Sequence, residues 1–436
     1  MSVAETCFIG IDLGTSGCRT IAIDPGGAVI ASSRAAMPES LRSADGGSEQ
    51  QPEDWWQAAS TTLADVIGQT DARVKAICVD GTSSSLLLCD ADGRPCSPAL
   101  MYDDQRAKDE AAIIERHAPA GSAARGASSA LAKLMFLLRT PHSAGRARHA
   151  VHQADWIASR LTGRFGVSDE NNALKLGYDP QQRKWPQWFE PLAVPASLLP
   201  RVSVVGDVLG TVSGQTAERF GLEPDTLVVA GTTDSNAAFL AAGATHCGEA
   251  VTSLGSTLVL KVLGERPVNA ATYGVYSHRI GERWLIGGAS NTGGSVLRRF
   301  FSDTELVALS AQIDPTTDSG LDYYPLPATG ERFPIADPTL PARLAPRPTD
   351  KVRFLQGILE GIARIEAVGY RCLAELGAPY PVRVLSCGGG AANENWLRLR
   401  QRLLGVPVER ATHDEAAYGS ALLARQALVR REPTPS

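Results

Sequence analysis

The opening third of the chain constrains the fold most, because it reads as three strands, a helix and a further strand. FIGIDLGTS (8–16) is apolar and ends in small polar residues, CRTIAID (18–24) alternates, and AVIASSRAA (28–36) follows a Pro-Gly-Gly turn. A helix opens at Pro52, and VKAICVDGTSSS (74–85) is a buried strand that runs into a polar turn. This order predicts an α/β domain built around a strand-turn-strand hairpin.

The second half of the chain repeats this theme. EAVTSLGSTLVLKVLG (249–264) is again strand-turn-strand, further strands follow, and residues 351–377 form a long amphipathic helix before the strand that ends in SCGGG. A chain of 436 residues is long enough for two to three domains. We therefore predict two domains, 1–243 and 244–436, and expect the tail 431–436 to be disordered.

Charge and cysteine content exclude several classes of function. The formal net charge is −5, so a general nucleic-acid or anionic-membrane surface has no electrostatic basis. The apolar runs are too short to span a bilayer, and the N-terminus shows no secretory signal. The eight cysteines form no CxxC pair and are expected to be reduced and mostly buried. These features predict a cytoplasmic protein without nucleic-acid or membrane partners.

The turn of the first hairpin has the chemistry of a phosphate and metal site. Asp12 is followed by Gly14 and Thr15, in the pattern Asp-x-Gly-Thr. Glycine lets backbone N–H groups approach a phosphate, the threonine hydroxyl can donate to it, and the aspartate can hold Mg²⁺ through a water. An ordinary turn at the end of a strand is the alternative. The second tip, Gly255-Ser256-Thr257, is informative as its partner, because two such tips facing each other would hold the β- and γ-phosphates.

A third element, SCGGGAANENW (386–396), places three glycines between a buried strand and a helix. Such a turn lets a flat ligand approach the backbone beside a helix N-terminus. It is not GxGxxG and no acidic residue follows at the Rossmann spacing, so dinucleotide binding is disfavoured. Close packing of the helix on the strand is the alternative.

Asp234, in GTTDSNAAFLAAG (231–243), begins a helix of small residues that follows a buried strand. A carboxylate in this position would be held rigidly beside a cleft. The alternative is helix capping, for which Asp is a preferred residue. Thr232 and Thr233 could cap equally well, which would leave Asp234 available for catalysis.

Two polar turns, GTSSS (81–85) and MYDDQRA (101–107), group hydroxyls and carboxylates at the ends of strands. Each hydroxyl of a polyol needs a donor and an acceptor, so such turns are typical of a sugar site. Ordinary solvated turns are the alternative for each.

Taken in this order, these segments resemble the FGGY family of carbohydrate kinases over about residues 8–428. The longer strings, such as HQADWIASRLTGRFGVSDENNALKLGYDP and WLIGGASNTGGSVLRRFFSD, are most similar to its plant and cyanobacterial xylulose kinase-like branch, whose members act as D-ribulose kinases. The resemblance implies a two-lobed actin-like ATPase (ribonuclease H-like) fold with an interlobe cleft. It also implies ATP and Mg²⁺ as cofactors.

The resemblance assigns roles to individual positions. Asp234 matches the catalytic base, and Asp12 matches the acidic residue of the Mg²⁺–phosphate centre, which also nears the sugar. The sugar contacts fall on Thr82, Ser83, Asp103 and Asp104. Four parts of the chain match the family's nucleotide contacts. They are the first phosphate tip (Gly14, Thr15), the second phosphate tip (Ser256, Thr257), the turn near the α-phosphate (Gly293, Gly294) and the adenosine pocket (Gly389, Gly390, Asn393).

Two departures from the family bear on the sugar. MYDDQRA replaces the Trp-Asn-Asp-x-Arg form of larger members, and GTSSS replaces the histidine-bearing loop of typical xylulose kinases. The expected reaction is transfer of the γ-phosphate of ATP to D-ribulose, giving D-ribulose 5-phosphate, in a monomer or homodimer. The alternatives are a D-xylulose or polyol kinase, a sugar-independent ATPase, and a non-catalytic actin-like module.

Overall fold

The computed structural model of the protein describes residues 5–429. In this range the chain divides into two compact units, one comprising the residues up to Ala241 together with those from Glu415 onward, and the other running from Ala242 to Asp414. The predicted boundary at Gly243 lies beside this division. The last helix, which the sequence suggested for the second domain, belongs to the first unit instead. The tail 431–436 lies outside the described residues.

The first unit is built from short strands and helices that alternate along the chain. In order they are β1 (Thr6–Leu13), β2 (Gly17–Ile23), β3 (Val29–Ala36), β4 (Leu41–Arg42), β5 (Ser48–Gln50), α1 (Pro52–Gly68), β6 (Arg73–Gly81), β7 (Leu86–Cys89), β8 (Ala99–Leu100), α2 (Lys108–His117), α3 (Ala130–Leu138), α4 (Pro141–Arg146), β9 (His149–His152), α5 (Gln153–Thr162), β10 (Val167–Asp169), β11 (Arg201–Ser203), β12 (Val208–Thr211), α6 (Gly214–Phe220), β13 (Leu227–Val229) and α7 (Asp234–Ala242).

The second unit follows, and the chain then returns to the first. The elements are β14 (Glu249–Leu254), β15 (Leu258–Gly264), β16 (Tyr276–Ile280), β17 (Arg283–Ser290), α8 (Gly294–Leu297), α9 (Asp303–Ser310), α10 (Lys351–Glu375), β18 (Arg383–Cys387), α11 (Glu394–Leu404), β19 (Val408–Arg410) and the returning α12 (Ala416–Val429).

The main sheet of the first unit has the order β12-β13-β6-β1-β2-β3. β13, β6 and β1 are parallel, whereas β1, β2 and β3 form an antiparallel meander. The interior of β6 is almost entirely buried, as expected for an apolar strand covered on both faces. Because parallel strands end at the same edge, β1, β6 and β13 bring their C-terminal residues together, and a bridge joins Gly81 to Thr233 just beyond them.

Helices cover this sheet through close contacts. α1 begins with Pro52 at its first position and buries Trp55 and Trp56. α12 lies so near β1 that a Cβ at Gly10 would stand 1.9 Å from the carbonyl oxygen of Ala417. A side chain there would displace the helix, so glycine is required for this packing.

The second unit repeats the pairing pattern of the first. Its sheet has the order β16-β17-β15-β14-β18-β19, with β14, β18 and β19 parallel and β14, β15, β17 and β16 antiparallel. The amphipathic α10, capped by Asp350, packs on it. The repeat of the hairpin theme predicted from the sequence is thus observed.

No helix within residues 5–429 is both long and apolar enough to cross a membrane.

Candidate active site

The edge of the first sheet where β1 and β6 end carries two carboxylates in register. Asp12 is paired with Asp80 on the parallel strand and with Arg19 on the antiparallel one. Asp80 is fully buried, and its Oδ2 accepts a hydrogen bond from the hydroxyl of Ser420 on α12 at 2.5 Å. The sequence interpretation passed over Asp80. Its only signal was a charge inside the apolar run AICVD, and the cross-strand register that pairs it with Asp12 is not visible in a linear pattern.

These carboxylates resist ionisation. Burial raises the pKa of Asp12 to about 6, a hydrogen bond with Asp80 opposes the rise, and the nearby carboxylate of Asp234 adds to it. Burial also raises the pKa of Asp80 well above its ordinary value, and the charge of Asp12 adds to that rise. Burial and mutual repulsion therefore disfavour the ionised forms at this edge, and a bound cation would favour them.

Asp234 lies at the same edge, as the first residue of α7. The carbonyl of Thr233 accepts the N–H groups of Asn236 and Ala237, both at 2.9 Å, so the helical hydrogen bonding begins at Thr233. The Asp234 carboxylate accepts the N–H of Ser235 at 2.6 Å and is half-buried. It is therefore the first residue inside the helix rather than its cap, and the electrostatic coupling to Asp12 and Asp80 places the three carboxylates in one site.

Close backbone contacts fix the elements that carry these carboxylates. A Cβ at Gly231 would stand 1.8 Å from the Val79 carbonyl oxygen, and one at Gly419 would stand 1.9 Å from that of Ala237. Real Cβ contacts are never this short, so α12, α7 and β6 lie at distances that only glycine permits. Asp80, Asp234 and Ser420 are thereby held on a rigid frame.

The first tip, Gly14-Thr15-Ser16, connects β1 to β2. The N–H of Gly14 donates to the Gly17 carbonyl at 3.0 Å, and the Thr15 carbonyl accepts the side-chain amide of Gln50 at 2.8 Å. Just beyond the turn, the Arg19 guanidinium forms an ion pair with Glu415. The tip is closed and braced, with a cation near the carboxylates.

The predicted sugar residues lie in two turns that the structure brings together. Lys133, fully buried on α3, donates from Nζ to the carbonyl of Ser84 at 3.0 Å and to that of Met101 at 2.6 Å. Burial lowers the pKa of this ammonium to about 7. The sequence interpretation missed Lys133, which looks like one cation in the helical run ALAKLMFLL.

The four predicted residues differ in what they contact. The Thr82 hydroxyl is buried and donates to Oε1 of Gln153 at 2.7 Å, while Ser83 beside it is half-buried. Asp104 is buried and accepts from Arg106 and from the Ser48 N–H. Asp103 pairs with the exposed Arg42 at 2.7 Å. Both carboxylates are engaged by protein donors, so their assignment as sugar ligands stays a prediction.

In the second unit two glycine-bearing segments converge on the tip Gly255-Ser256-Thr257. The N–H of Gly294 donates to the Gly255 carbonyl at 2.8 Å. Gly293 has φ 145°, and a Cβ there would lie 2.7 Å from the Ser256 carbonyl oxygen. A Cβ at Gly388 would lie 3.0 Å from the Leu254 carbonyl oxygen. The close approach requires glycine at Gly293, so the predicted second tip and the turn near it form one surface.

Beside this tip lies a cavity of about 740 Å³, which we call the second-unit cavity. It is lined by residues from the tip, from α8 and α9, and from the turn and helix after β18, among them Ser256, Gly294, Gly389, Gly390 and Asn393. A cavity of this volume is suited to a nucleoside. The predicted nucleotide residues of this unit, other than Thr257 and Gly293, therefore line one cavity. Thr257 belongs to the tip, and Gly293 contacts it.

The described residues contain no cluster of three or more His, Cys, Asp or Glu side chains placed to hold a metal ion. All eight cysteines carry free thiols; Cys247 is exposed, Cys372 is half-buried and the others are buried. The predicted burial of most cysteines is observed, and their reduced state stays a prediction.

Comparison with known proteins gives a consistent result. Residues 7–241 match the model of the FGGY family of carbohydrate kinases, N-terminal domain, and residues 250–428 match that of the C-terminal domain. The chain is 26% identical to the xylulose kinase of Escherichia coli over 440 residues, covering 96% of this chain and 89% of the relative. It is 29% identical to the glycerol kinase of Gloeobacter violaceus over 449 residues, covering 96% and 87%.

Among solved structures, a ligand-bound xylulose kinase from Lactobacillus acidophilus superposes with a TM-score of 0.85 at 19% identity, covering 98% of this chain and 90% of that one. The predicted α/β actin-like ATPase fold is thereby confirmed.

Proposed function

Because this chain belongs to the FGGY family of carbohydrate kinases, we propose that it transfers the γ-phosphate of ATP to D-ribulose and forms D-ribulose 5-phosphate. That it is a sugar phosphotransferase follows from the family. The identity of the sugar is the finer step, because the curated relatives act on acceptors as different as xylulose and glycerol according to their names.

The observation that supports D-ribulose is the Thr82–Ser85 turn at the carboxylate edge. Its hydroxyls stand where typical xylulose kinases, by the resemblance, carry a histidine-bearing loop. The Thr82 hydroxyl is oriented by Gln153 and lies 2.6 Å from the Ser85 hydroxyl, so small polar groups rather than an imidazole line this edge. D-Ribulose and D-xylulose differ only in configuration at C3, so a change of this kind is of the right size to discriminate them.

In this proposal Asp234 acts as the general base. Its carboxylate accepts the proton from the acceptor hydroxyl as the oxygen attacks the γ-phosphorus, and the bond from that phosphorus to the β–γ bridging oxygen breaks to release ADP. Phosphoryl transfer has a loose transition state, so the contribution of the protein is mainly positioning and electrostatic stabilisation. The rigid attachment of α7 through Gly231 and Gly419 is suited to that task.

Asp12, with Asp80 behind it, would hold Mg²⁺. Mg²⁺ in kinase sites is bound by one or two carboxylates together with substrate phosphates, so two carboxylates in register fit it without a larger protein cage. The raised pKa of Asp12 fits as well, because a cation would offset the charge that burial disfavours. When bound, Mg²⁺ neutralises charge on the phosphates, while Gly14 and Thr15 present backbone and hydroxyl donors to them.

A screen that couples ADP formation to a spectroscopic signal, run over ketopentoses, ketohexoses and polyols, tests the proposal. The value of kcat/KM for D-ribulose should exceed that for D-xylulose by at least about tenfold, since one misplaced hydroxyl leaves a buried polar group unpaired. A preference for D-xylulose or glycerol would replace the sugar while keeping the enzyme class.

The Asp234→Ala variant gives the background rate in the same screen. ATP hydrolysis that is as fast without sugar as with any sugar would instead favour a sugar-independent ATPase.

A further inference from the structure

The walls of the second-unit cavity are largely apolar. They include Leu254 from the end of β14, Leu297 from α8, Leu306 and Val307 from α9, and Leu359 from α10. The indole of Trp396 also faces the cavity, but its Nε1 donates to the Leu359 carbonyl at 3.1 Å. A planar base would therefore be held by apolar contacts on its faces.

The polar side chains of the same wall are occupied by one another. Asn393 accepts the Trp396 N–H at 3.0 Å through Oδ1 and donates from Nδ2 to the Ser310 hydroxyl at 2.8 Å. Asn395 donates from Nδ2 to the Ser310 carbonyl at 2.9 Å. The two amides thus connect the end of α9 to the start of α11, and these contacts leave over the Oδ1 of Asn395 and one N–H of each side-chain amide.

Charged groups of the cavity lie at its mouth. Arg298 and Asp303 are exposed and 3.9 Å apart, and Glu394 is exposed as well. Hydrogen bonds from such groups compete with water and contribute little to discrimination. The Ser310 carbonyl at the end of α9 is also engaged, because it accepts the N–H of Ile313 at 3.2 Å.

From this geometry we propose that the cavity selects its nucleotide by the shape of a purine and not by the hydrogen-bonding edge of adenine, so that ITP and GTP serve as phosphate donors alongside ATP. The inference rests on the proposed use of this cavity for the nucleotide. It assigns Asn393 and Asn395 to positioning the two helices rather than to reading the base.

The size of the expected effect follows from how sites discriminate. A pocket built to hydrogen-bond its ligand rejects an analogue without the matching group by about 10⁴- to 10⁵-fold, whereas an apolar pocket discriminates by only about 10- to 200-fold. ITP differs from ATP only in the group at C6 of the base, where an oxo group replaces the amino group. A shape-selective cavity should therefore give an ATP-to-ITP ratio of kcat/KM below about 200.

The experiment compares ATP, ITP, GTP and UTP with the best acceptor of the sugar screen, and ADP, IDP and UDP by calorimetry in the absence of sugar. A ratio below about 200, both for ATP against ITP in kcat/KM and for ADP against IDP in affinity, supports the proposal, and a larger ratio in either measurement overturns it. UTP and UDP are the size control. They should be weaker than both purines, because a single ring fills less of the cavity, and equal affinity for UDP and ADP would also overturn selection by shape.

Substitutions distinguish an asparagine that positions the two helices from one that hydrogen-bonds to the base. Asn393→Ala and Asn395→Ala should raise KM for ATP and for ITP by the same factor. The ratio of the two KM values should therefore stay unchanged within about threefold, which is the error of the comparison. Loss of a hydrogen bond between a buried group and the base would change the ratio by more than this. A selective loss of ATP binding in either variant would overturn the proposal.

The binding arm keeps this inference distinct from the proposed function. If no nucleotide supports phosphorylation of any sugar yet ADP and IDP bind alike, the proposed reaction fails while the shape selection stands. If sugar phosphorylation proceeds with ATP but IDP does not bind, the reaction stands and this inference is wrong.

Discussion

In the first unit the adjacent parallel strands β1 and β6 end with Asp12 facing Asp80, whereas in the second unit the corresponding strands β14 and β18 pair Ser253 with Cys387. Both units continue from these strands into a three-residue tip, Gly14-Thr15-Ser16 in one and Gly255-Ser256-Thr257 in the other. The same pairing of strands therefore carries carboxylates on one sheet and neutral side chains on the other.

Two buried carboxylates, one in each unit, are compensated differently. In the second unit the fully buried Glu366 is held by Arg400 through two hydrogen bonds of 2.6 Å, and the same guanidinium donates to Ser386 at 2.6 Å. In the first unit the buried Asp80 accepts one hydrogen bond from the Ser420 hydroxyl, and burial raises its pKa. A guanidinium neutralises Glu366, whereas Asp80 is left poorly compensated at the sheet edge where a cation and a proton transfer are proposed.

The largest effect is expected on substitution of Asp234 in the first unit. Asp234→Ala should lower turnover by at least about 10³-fold, because general-base catalysis contributes about 10²- to 10⁴-fold and this carboxylate is the proposed base. Steady-state kinetics with the preferred sugar measures the loss. Asp225→Ala, which removes an exposed carboxylate of the same unit paired with Arg73, should leave turnover unchanged. Sugar-dependent activity of Asp234→Ala within tenfold of the wild type would rule out the assigned role.

In the second unit, loss of the buried cation is expected to lower folding stability. Arg400→Met leaves Glu366 buried without its cation, and breaking one side of a buried pair costs about 3–5 kcal/mol. The midpoint of urea unfolding should fall accordingly. Lys351→Met, which breaks the exposed pair with Glu305 in the same unit, should cost less than about 1 kcal/mol.

The double variant Glu366→Leu/Arg400→Met sharpens this test. Replacing a buried ion pair with apolar residues is often close to neutral, so much of the lost stability should return. If the single and double variants unfold at the same urea concentration, the unpaired charge of Glu366 does not account for the lower midpoint of Arg400→Met. The contrast between Glu366 and Asp80 would then be wrong.

Linear patterns predicted the elements well where local chemistry decides them. The helix predicted to open at Pro52 does so, because proline fixes its first turn. The hairpins and their glycine-bearing tips were likewise predicted, since strand alternation and turn residues are local features. Asp234 was correctly placed at the start of its helix for the same reason.

What the sequence could not supply is contact between distant segments. Asp80 and Lys133 lie in apolar runs, and their importance depends on a cross-strand register and on two loops brought together by folding. The return of α12 to the first unit depends on Gly10 and Gly419, which are far apart in the chain and reveal their role only as a close approach. Periodicity carries no information about which surfaces meet.

The smallest expected effect concerns pH and another buried carboxylate of the first unit, Asp169. It accepts the N–H groups of Asn171 and Asn172 at 2.8 and 2.9 Å, yet burial raises its pKa to about 7, and the nearby Asp155 adds to the rise. A raised pKa means that its contribution to stability is fully present below the unfolded-state value near 4 and is lost as pH rises through about 7.

Asp169→Asn removes this titration. The wild type should lose several degrees of melting temperature between pH 5 and pH 8 relative to the variant, since a shift of one pKa unit corresponds to about 1.4 kcal/mol and neighbouring groups share part of it. Thermal unfolding of both proteins at several pH values measures the difference. Asp225→Asn, an exposed carboxylate whose pKa is lowered by Arg73, is the control and should not reproduce it. Parallel pH profiles for wild type and Asp169→Asn would mean that this carboxylate is compensated as fully as those of the second unit, and the contrast between the units would then be confined to Asp12, Asp80 and Asp234.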